Sequence, residues 1–426
     1  MKATDWPWWH ASNDLWRHTR DLVTASLQTL RPSLNAHAQA QALREAHSGR
    51  ALHLVHDLGV TSLELLSLGA TLCEATGMRQ PEHLERLHTA NLLDDWVELA
   101  QLAWQASAES PQPVVRFRTS GSTGRPKACV HPWPWLQQEA QALAQHLSRD
   151  GAPRRVVSVV RCHHIYGHLF TLLLPRALGG AGMPVLDGVM LPPAAVLAQL
   201  QPGDLVVGYP DWWRIALQCG LPLPPGVIGV TSTAPCPPDT AAAALDAGLS
   251  RLVHIYGSTE TAGIAWKEAL DDAFTLMPHW QRPPDELDGS HLIRLTPDGE
   301  RVTVALPDQV RWLDDTHLAP TGRVDQAVQV GGVNVRPQDV RQHFLAHPEV
   351  ADASVRLHDF DGVPRLKLFV VPRHPDTDAC VLLASLQDHG LRLAPPARPA
   401  HIALGQRLPV SAMGKACDWP VPAPQG

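Results

Sequence analysis

Hydrophobic patterning divides the chain into a helical first part and a mixed second part. From about residue 26 to 105, apolar residues recur every three or four positions, which predicts amphipathic helices. From about residue 111, short apolar runs alternate with helical stretches. The run at 156–160 is continuous, as in a strand buried on both faces, and 204–208 and 227–231 predict further parallel strands. The pattern therefore predicts an α/β core that follows a helical N-terminal region.

Two segments of the N-terminal region have specific interpretations. The tryptophans between residues 6 and 16 predict an arm that docks on the body of the protein. Thr61, with Glu64 three residues later, predicts a capping box at an ordinary helix start. Alternatively, the order around Ser62, followed by a T-x-x-x-L stretch from Thr89, resembles acyl and peptidyl carrier proteins. Ser62 would then stand at the pantetheinylated position, with Thr61 in place of that family's acid.

Composition bounds the class of protein and its compartment. A chain of 426 residues with 44% apolar and 18% charged residues is typical of a globular protein of two or three domains. Its net charge of −7 argues against nucleic acid and anionic membranes as partners. Seven cysteines without a C-x-x-C pair indicate reduced thiols, and Pro175 and Arg176 interrupt the most apolar stretch. We therefore expect a cytoplasmic protein without a membrane span.

A loop rich in small residues, T-S-G-S-T-G-R-P-K at 119–127, follows a β-prone run at 114–118. Glycines let backbone N–H groups approach an anionic ligand closely, and the final lysine adds a positive charge. The spacing differs from the P-loop of NTPases. Taken alone, such a cluster is also typical of a surface turn.

The complete string resembles the phosphate-loop motif of the adenylate-forming superfamily, which contains acyl-CoA synthetases, nonribosomal peptide synthetase adenylation domains and luciferases. The resemblance implies an α/β fold with a large, N-terminally reduced domain and a small α+β lid domain. It divides the chain into a helical region at 1–110, a core domain at 111–324 and a mobile lid at 325–426. The implied phosphate-binding residues are Thr119, Ser120, Gly121, Ser122, Thr123, Gly124 and Lys127.

Two later segments resemble the parts of this superfamily that face the acyl group. The stretch after the strand at 156–160 resembles F-H-x-x-G, which implies that His164, Tyr166 and Gly167 line the acyl pocket. The adjacent histidines are not predicted to bind metal, because neighbours on a strand point to opposite faces. Thr233 and Ala234 fall where the family has G-G-A-P, a backbone turn that faces the adenine and the acyl group.

The segment at 252–261 resembles the family's Y-G-x-T-E motif. The resemblance implies that Tyr256 lies against the adenine and that Gly257 and Ser258 belong to the nucleotide site. It also implies that Thr259 reaches the α-phosphate and that Glu260 holds Mg²⁺. Without the resemblance, the same residues predict a strand followed by a glycine turn and a capped helix.

The remaining motifs extend to the C-terminus. Asp308 matches the acid of T-G-D, and Arg323 matches G-R-x-D, which implies that both bind the ribose hydroxyls of ATP. The resemblance implies a hinge at Asp325 and a thiol tunnel lined by the strand that carries Gly332. Lys415, in a segment similar to L-P-x-T-x-x-G-K, would bridge the substrate carboxylate and the α-phosphate.

The implied activity is that of an ATP- and Mg²⁺-dependent carboxylic acid ligase. It forms an acyl-adenylate with release of pyrophosphate and transfers the acyl group to a pantetheine thiol of CoA or an acyl carrier protein. Compact ligases of this kind accompany xanthomonadin and aryl-polyene pigment clusters, which implies an aryl acid such as 4-hydroxybenzoate. Three alternatives remain open: a fatty-acid substrate, a non-catalytic adenylate-binding scaffold, and self-loading on Ser62.

Overall fold

The computed structural model of the chain divides into two compact units. The first contains the described residues up to Thr321, and the second begins at Gly322. Each unit has a hydrophobic core of its own. The described residues are 8–31, 43, 45, 49–110, 113–118, 128–284, 291–324, 327–374, 377–409 and 418–421, with the backbone alone at 181 and 323.

In the N-terminal part of the first unit, the described residues include four helices. They are α1 (Ser12–Leu30), α2 (Ser62–Thr76), α3 (Pro81–Thr89) and α4 (Leu93–Ala108). The predicted capping box at the start of α2 is confirmed: Thr61 Oγ1 accepts from the Glu64 N–H, and Glu64 Oε2 accepts from the Thr61 N–H at 2.8 Å. The predicted tryptophan arm contains a 3₁₀ turn, Trp8–His10, and helix α1, with Trp8 and Trp9 buried in the core.

A nine-stranded mixed sheet forms the centre of the first unit. Its parallel strands are β3 (Arg155–Ser158), β4 (Val185–Asp187), β5 (Asp204–Val207), β6 (Ile228–Thr231) and β7 (Arg251–Ser258). Their spatial order is β4-β3-β5-β6-β7, and β7 is followed in space by the antiparallel strands. Those are β8 (Ala262–Glu268), β9 (Phe274–Leu276), β13 (Asp308–Trp312) and β14 (His317–Arg323). The parallel strands predicted from the sequence are therefore confirmed.

Both faces of the parallel strands are buried, as the continuous apolar runs predict. Val156 and Val207 belong to one hydrophobic cluster, whereas their chain neighbours Val157 and Val206 belong to a second cluster. Alternate residues of a strand point to opposite faces, so the sheet separates two layers of core. The helices beside the sheet are α5 (Trp133–Leu147), α6 (Ile165–His168), α7 (Leu174–Gly179), α8 (Pro193–Leu197), α9 (Pro210–Leu217) and α10 (Pro238–Asp246).

The described part of the first unit also contains two small antiparallel sheets. Strands β1 (Val114–Arg118) and β2 (Ala128–Pro132) pair with Arg118 opposite Ala128, so residues 119–127 connect the two strands. The second small sheet contains β10 (Trp280–Gln281), β11 (His291–Leu295) and β12 (Arg301–Ala305). Within the parts of the chain that the structure describes, no helix is both long and apolar enough to span a bilayer.

The second unit has an α+β arrangement, as predicted for the C-terminal region. A hairpin of β15 (Val328–Val330) and β16 (Val333–Val335) precedes α11 (Pro337–Leu345). The remaining elements are β17 (Val350–Phe360), β18 (Val363–Pro372), α12 (Ala379–Gly390) and β19 (His401–Leu404). Strand β18 lies between β17 and β19 in a three-stranded sheet.

A fully buried lysine ties the C-terminal residues to this sheet. Lys367 on β18 is 0% exposed, although lysine is almost never buried without a partner. Its Nζ donates to the carbonyl oxygen of Trp419 at 2.6 Å and lies 2.9 Å from the Asp418 carboxylate. The positive charge of Lys367 is thus paired with the Asp418 carboxylate, and Asp418 and Trp419 are attached to β18, the central strand of this sheet.

Candidate active site

Most of the predicted site residues that the structure describes follow the ends of three strands within a set of four adjacent parallel strands. His164 follows β3, Thr233 follows β6, and Thr259 follows β7. These strands neighbour one another in the order β3-β5-β6-β7, and all of them run in the same direction. Open α/β sheets bind ligands at the carboxyl edge of their strands. The fold therefore brings residues that are far apart in sequence to a single edge.

A tight turn from Ser258 to Ala262 follows β7. Ser258 Oγ accepts from the backbone N–H groups of Glu260 and Thr261, both at 3.2 Å, and Thr261 Oγ1 accepts from the Ser258 N–H at 3.2 Å. A Cβ atom at Gly257 would lie 2.2 Å from the carbonyl oxygen of Ala262, so only glycine fits there. The chain continues as strand β8, and the capped helix considered from the sequence alone is wrong.

His131 on β2 binds the backbone of this turn. Its Nε2 lies 2.7 Å from the carbonyl oxygen of Thr259, and the imidazole is buried. Burial lowers the pKa of His131, so the ring is neutral and its Nε2–H donates to the carbonyl. This contact leaves the Thr259 hydroxyl uninvolved, and Glu260 is exposed at the tip of the turn.

A buried carboxyl group supports the other side of the turn. Glu139 on α5 is 0% exposed, and its Oε1 accepts from the backbone N–H of Gly263 at 2.8 Å. A Cβ atom at Gly263 would lie 2.3 Å from that oxygen, which explains the glycine. Burial raises the pKa of Glu139 to about 8, and the positive charge of Arg294 opposes this rise. Glu139 is therefore largely protonated at neutral pH.

Replacing Glu139 with glutamine is expected to flatten the pH dependence of stability. The folded-state pKa of about 8 exceeds the usual 4.5, so the folded protein binds the proton more tightly than the unfolded chain does. The stabilisation is complete below pH 4.5 and is lost as the pH rises through 8. Its slope is at most about 1.4 kcal/mol per pH unit. Urea unfolding of both proteins at pH 5 to 8 measures the difference, and parallel curves would contradict this assignment.

Two residues assigned to the nucleotide contact each other directly. The Tyr256 hydroxyl donates to Asp308 Oδ2 at 2.9 Å, which joins β7 to β13 across the sheet. The Tyr256 ring also packs against Phe274, with ring centroids 5.6 Å apart. Tyr256 and Asp308 are each half-buried. The hydrogen bond fixes the orientation of the phenol ring and of the carboxylate relative to each other.

The turn after β6 contains a strained residue. Thr233 has φ of +77°, a conformation that β-branched residues rarely adopt. Ser232 anchors the turn, because its buried Oγ donates to the carbonyl oxygen of Ile255 at 2.9 Å. The superfamily resemblance places Gly-Gly at this position, and the left-handed backbone is the physical reason for glycine. This chain keeps the turn at the cost of strain.

Replacing Thr233 with glycine is expected to raise the free energy of unfolding by about 1 kcal/mol, because the strain of a β-branched residue at positive φ exceeds the entropic cost of glycine. Thr233 is exposed, so the change removes little packing. Chemical unfolding measures the effect. Thr231→Gly, in the regular strand β6, is the control and should lower stability. A loss of stability in Thr233→Gly would refute the assignment of strain.

The three residues predicted for the acyl pocket differ in accessibility. His164 is exposed at the N-terminal end of α6. Desolvation by the surrounding protein, together with the positive charge of Arg161, lowers the pKa of its imidazole to about 4. Tyr166 is buried, and its hydroxyl donates to the Gly208 carbonyl at 2.8 Å. Gly167 abuts the preceding segment, since a Cβ atom there would lie 2.1 Å from the Arg161 carbonyl oxygen. Of the three, His164 presents a polar side chain.

A charged network from α1 holds the segment that leads to His164. Asp21 Oδ2 accepts from the backbone N–H of Cys162 at 2.9 Å, and Asp21 Oδ1 accepts from Arg20 Nε at 2.9 Å. Arg20 Nη1 also donates to Asp187 Oδ2 at 2.6 Å, and Arg17 Nε lies 3.5 Å from the same oxygen. All five residues are buried. The positive charges of Arg17 and Arg20 are thus offset by the negative charges of Asp21 and Asp187 around Cys162.

Sequence reasoning missed Arg161, Tyr209, His131, Glu139 and Asp21. Arg161 and Tyr209 lie shortly after the ends of β3 and β5, so the rule that pointed to the other strand ends could have found them. His131, Glu139 and Asp21 carry no local signal; Asp21, for example, contacts Cys162, which is 141 residues away. Their roles depend on long-range contacts.

Several predicted residues cannot be placed at this edge. The phosphate loop 119–127, Asp325 and Lys415 lie outside the described residues, as does the side chain of Arg323. Gly332 lies in the second unit, in the turn between β15 and β16, with φ of +77°. Their predicted roles remain predictions.

Comparison with known proteins identifies the family. A family model described as AMP-binding enzyme matches residues 24–286. The chain is 35% identical over 355 residues to a 4-coumarate–CoA ligase of Halorhodospira halophila, which covers 83% of this chain and 86% of that protein. It is 37% identical over 366 residues to a 4-coumarate–CoA ligase of Rhodobacter capsulatus, with 85% and 90% covered.

A solved structure agrees in fold. The o-succinylbenzoate CoA synthetase of Bacillus subtilis superimposes with a TM-score of 0.57 at 19% identity, over 71% of this chain and 67% of that one. The resemblance and the fold class predicted from the motifs are thus confirmed. The chain belongs to the AMP-binding enzyme family, as an acid–thiol ligase of the AMP-forming class.

Proposed function

We propose that this ligase activates an aryl acid, a hydroxybenzoate or a hydroxycinnamate, and transfers it to the pantetheine thiol of CoA. The observation that carries the proposal is the arrangement at the strand ends. Predicted acid-binding residues follow β3, and predicted nucleotide-binding residues follow β6 and β7 of the same sheet edge. The names of the two relatives support a phenolic acid and CoA. A carrier protein is the alternative acceptor.

In the first half-reaction, a carboxylate oxygen attacks the α-phosphorus of ATP, and the bond to the β-phosphate bridging oxygen breaks. Both reactants are anions, so the protein must offset their repulsion and stabilise charge on the transferring group. We assign this role to Lys415 and to the hydroxyl of Thr259, in the turn after β7. The 119–127 loop would hold the departing pyrophosphate.

The exposed Glu260 fits a magnesium ion, because carboxylate oxygens are the ligands that Mg²⁺ prefers. When bound, the ion supplies positive charge beside the phosphates. Tyr256 would lie against the adenine, and Asp308, oriented by the Tyr256 hydroxyl, would accept a ribose hydroxyl. Arg323 is proposed to assist Asp308.

In the second half-reaction, the thiol sulfur attacks the acyl carbonyl carbon, loses its proton, and AMP leaves with the bridging oxygen. No protein nucleophile is required. The second compact unit begins close to Asp325, which supports this residue as the hinge about which the C-terminal unit turns between the two half-reactions. We assign Gly332 to the wall of the thiol path.

The test is pyrophosphate release with ATP, Mg²⁺ and one acid at a time from a panel: benzoate, 4-hydroxybenzoate, cinnamate, 4-hydroxycinnamate and a medium-chain fatty acid. Mass spectrometry then follows thioester formation on CoA and on a pantetheinylated carrier protein. We expect the hydroxylated aryl acids to give the highest rates and CoA to accept the product. A preference for the fatty acid would refute the aryl-acid assignment, and transfer only to the carrier would refute CoA.

A further inference from the structure

Arg161 is a half-buried arginine that follows strand β3. Among the described residues, none accepts a hydrogen bond from its guanidinium or forms an ion pair with it. Burial is the main cause that lowers its pKa. Removing a guanidinium from water without providing acceptors is costly, so such groups in folded proteins are normally paired. An unpaired one at a sheet edge is available to an external acceptor.

Two accessible polar side chains lie close to Arg161. Its charge lowers the pKa of His164 and opposes the rise that burial causes in the pKa of Tyr209. His164 is exposed, and Tyr209 is 38% exposed. Arg161 and His164 follow β3, whereas Tyr209 follows the neighbouring strand β5, with Ser158 paired to Val207 at the two strand ends. The three side chains thus form a polar cluster at the β3–β5 end of the edge.

The position of this cluster is held from the core. Asp21 accepts from the backbone N–H of Cys162, the residue after Arg161. The carbonyl oxygen of Arg161 lies so close to Gly167 that no larger residue fits there. The backbone that carries Arg161 is therefore fixed on both sides.

The distance from the nucleotide residues indicates which part of a substrate the cluster would meet. Strands in a sheet are about 4.8 Å apart, so β5 and β3 lie roughly 10 and 14 Å from β7, which carries Thr259. That separation is of the same order as the length of an elongated aryl acid. An acid whose carboxylate reacts beside Thr259 would place its opposite end near β3 and β5.

We propose that Arg161, together with His164 and Tyr209, binds an acceptor oxygen at the end of the acid remote from the reacting carboxylate, and so selects para-hydroxylated aryl acids. The inference rests on the proposed function. A guanidinium donates to phenol, phenolate and carboxylate oxygens alike, so a second carboxylate could use the same donor. The test distinguishes a phenol oxygen from a second carboxylate by comparing acids that differ only at the para position.

The experiment measures kcat/KM for pyrophosphate release with 4-hydroxycinnamate, 4-carboxycinnamate, 4-methylcinnamate and cinnamate. Wild type is compared with Arg161→Gln and, as the control, Arg214→Gln on the surface of α9. We expect wild type to prefer 4-hydroxycinnamate over cinnamate. In Arg161→Gln this ratio should fall 10- to 100-fold, while kcat/KM for cinnamate changes less than about threefold. Arg214→Gln should keep the wild-type ratio.

Each remaining outcome contradicts a specific statement. An unchanged ratio in Arg161→Gln overturns the role of Arg161 and leaves the proposed function intact. A preference of wild type for 4-carboxycinnamate means that Arg161 recognises a second carboxylate instead of a phenol, which overturns the selection of para-hydroxylated acids. No activity with any aryl acid in wild type overturns the proposed function and this inference together. If Arg161→Gln does not fold, the wild-type series decides: equal rates with 4-hydroxy- and 4-methylcinnamate overturn the inference.

Discussion

Replacing Lys415 with alanine is expected to lower the rate of acyl-adenylate formation by a few hundredfold or more. The residue is predicted to lie between the two anions that must react, where its charge stabilises the transition state more than the separate reactants. Removing one preorganised charge or donor of this kind typically costs about 3–4 kcal/mol of transition-state stabilisation. Pyrophosphate release under saturating ATP and acid measures the loss, which should be in kcat.

The same variant should retain the second half-reaction. The proposed bridge acts before the acyl–phosphate bond has formed, so thioester formation from a supplied acyl-adenylate should proceed at close to the wild-type rate. Arg407→Ala removes an exposed positive charge nearby in sequence and serves as the matched control. Equal losses in both half-reactions, or an equal loss in the control, would contradict the proposed role of Lys415.

Replacing Asp21 with alanine is expected to lower the free energy of unfolding by roughly 3–5 kcal/mol, because removing one partner leaves a buried charge uncompensated. Arg20 would then keep Asp187, which Arg17 also approaches, and the buried N–H of Cys162 would lose its acceptor. Denaturant unfolding of the purified protein measures the change. Few single substitutions in a chain of this size should have a larger effect.

The control for Asp21 is an aspartate that pairs with an arginine at the surface. Asp211 lies 3.6 Å from Arg214, and both side chains are about a third exposed. Asp211→Ala should therefore change stability by less than about 1 kcal/mol. A similar small change in Asp21→Ala would mean that the buried network contributes no net stability. Asp21→Asn, which keeps the acceptor for Cys162, should lose less than Asp21→Ala.

The helix that carries Asp21 extends the site beyond the matched part of the chain. The AMP-binding family model begins at residue 24, whereas Asp21 and Arg20 lie before it on α1. Their contact with Cys162 connects this helix to the segment of Arg161 and His164. The N-terminal helix is therefore part of the support of the candidate acid-binding end.

Local features of the fold were readable from the sequence. The parallel strands were predicted because a strand buried on both faces needs a continuous apolar run, and 156–160 and 204–208 provide such runs. The capping box of Thr61 and Glu64 involves residues three positions apart, so it needs no tertiary information. The order of the motifs was enough to identify the family, since each motif is contiguous.

The sequence alone thus determined the fold class, the family and a set of candidate residues, because these depend on periodicity and on short motifs. Only the tertiary structure decided which side chains share an edge and which lie buried beneath it. The strand order β3-β5-β6-β7 joins His164 to Tyr209, and the packing of α1 and α5 places Asp21 and Glu139 behind the site. The contacts of Asp21 with Cys162 and of Glu139 with Gly263 join residues more than 100 positions apart, and no local pattern records them.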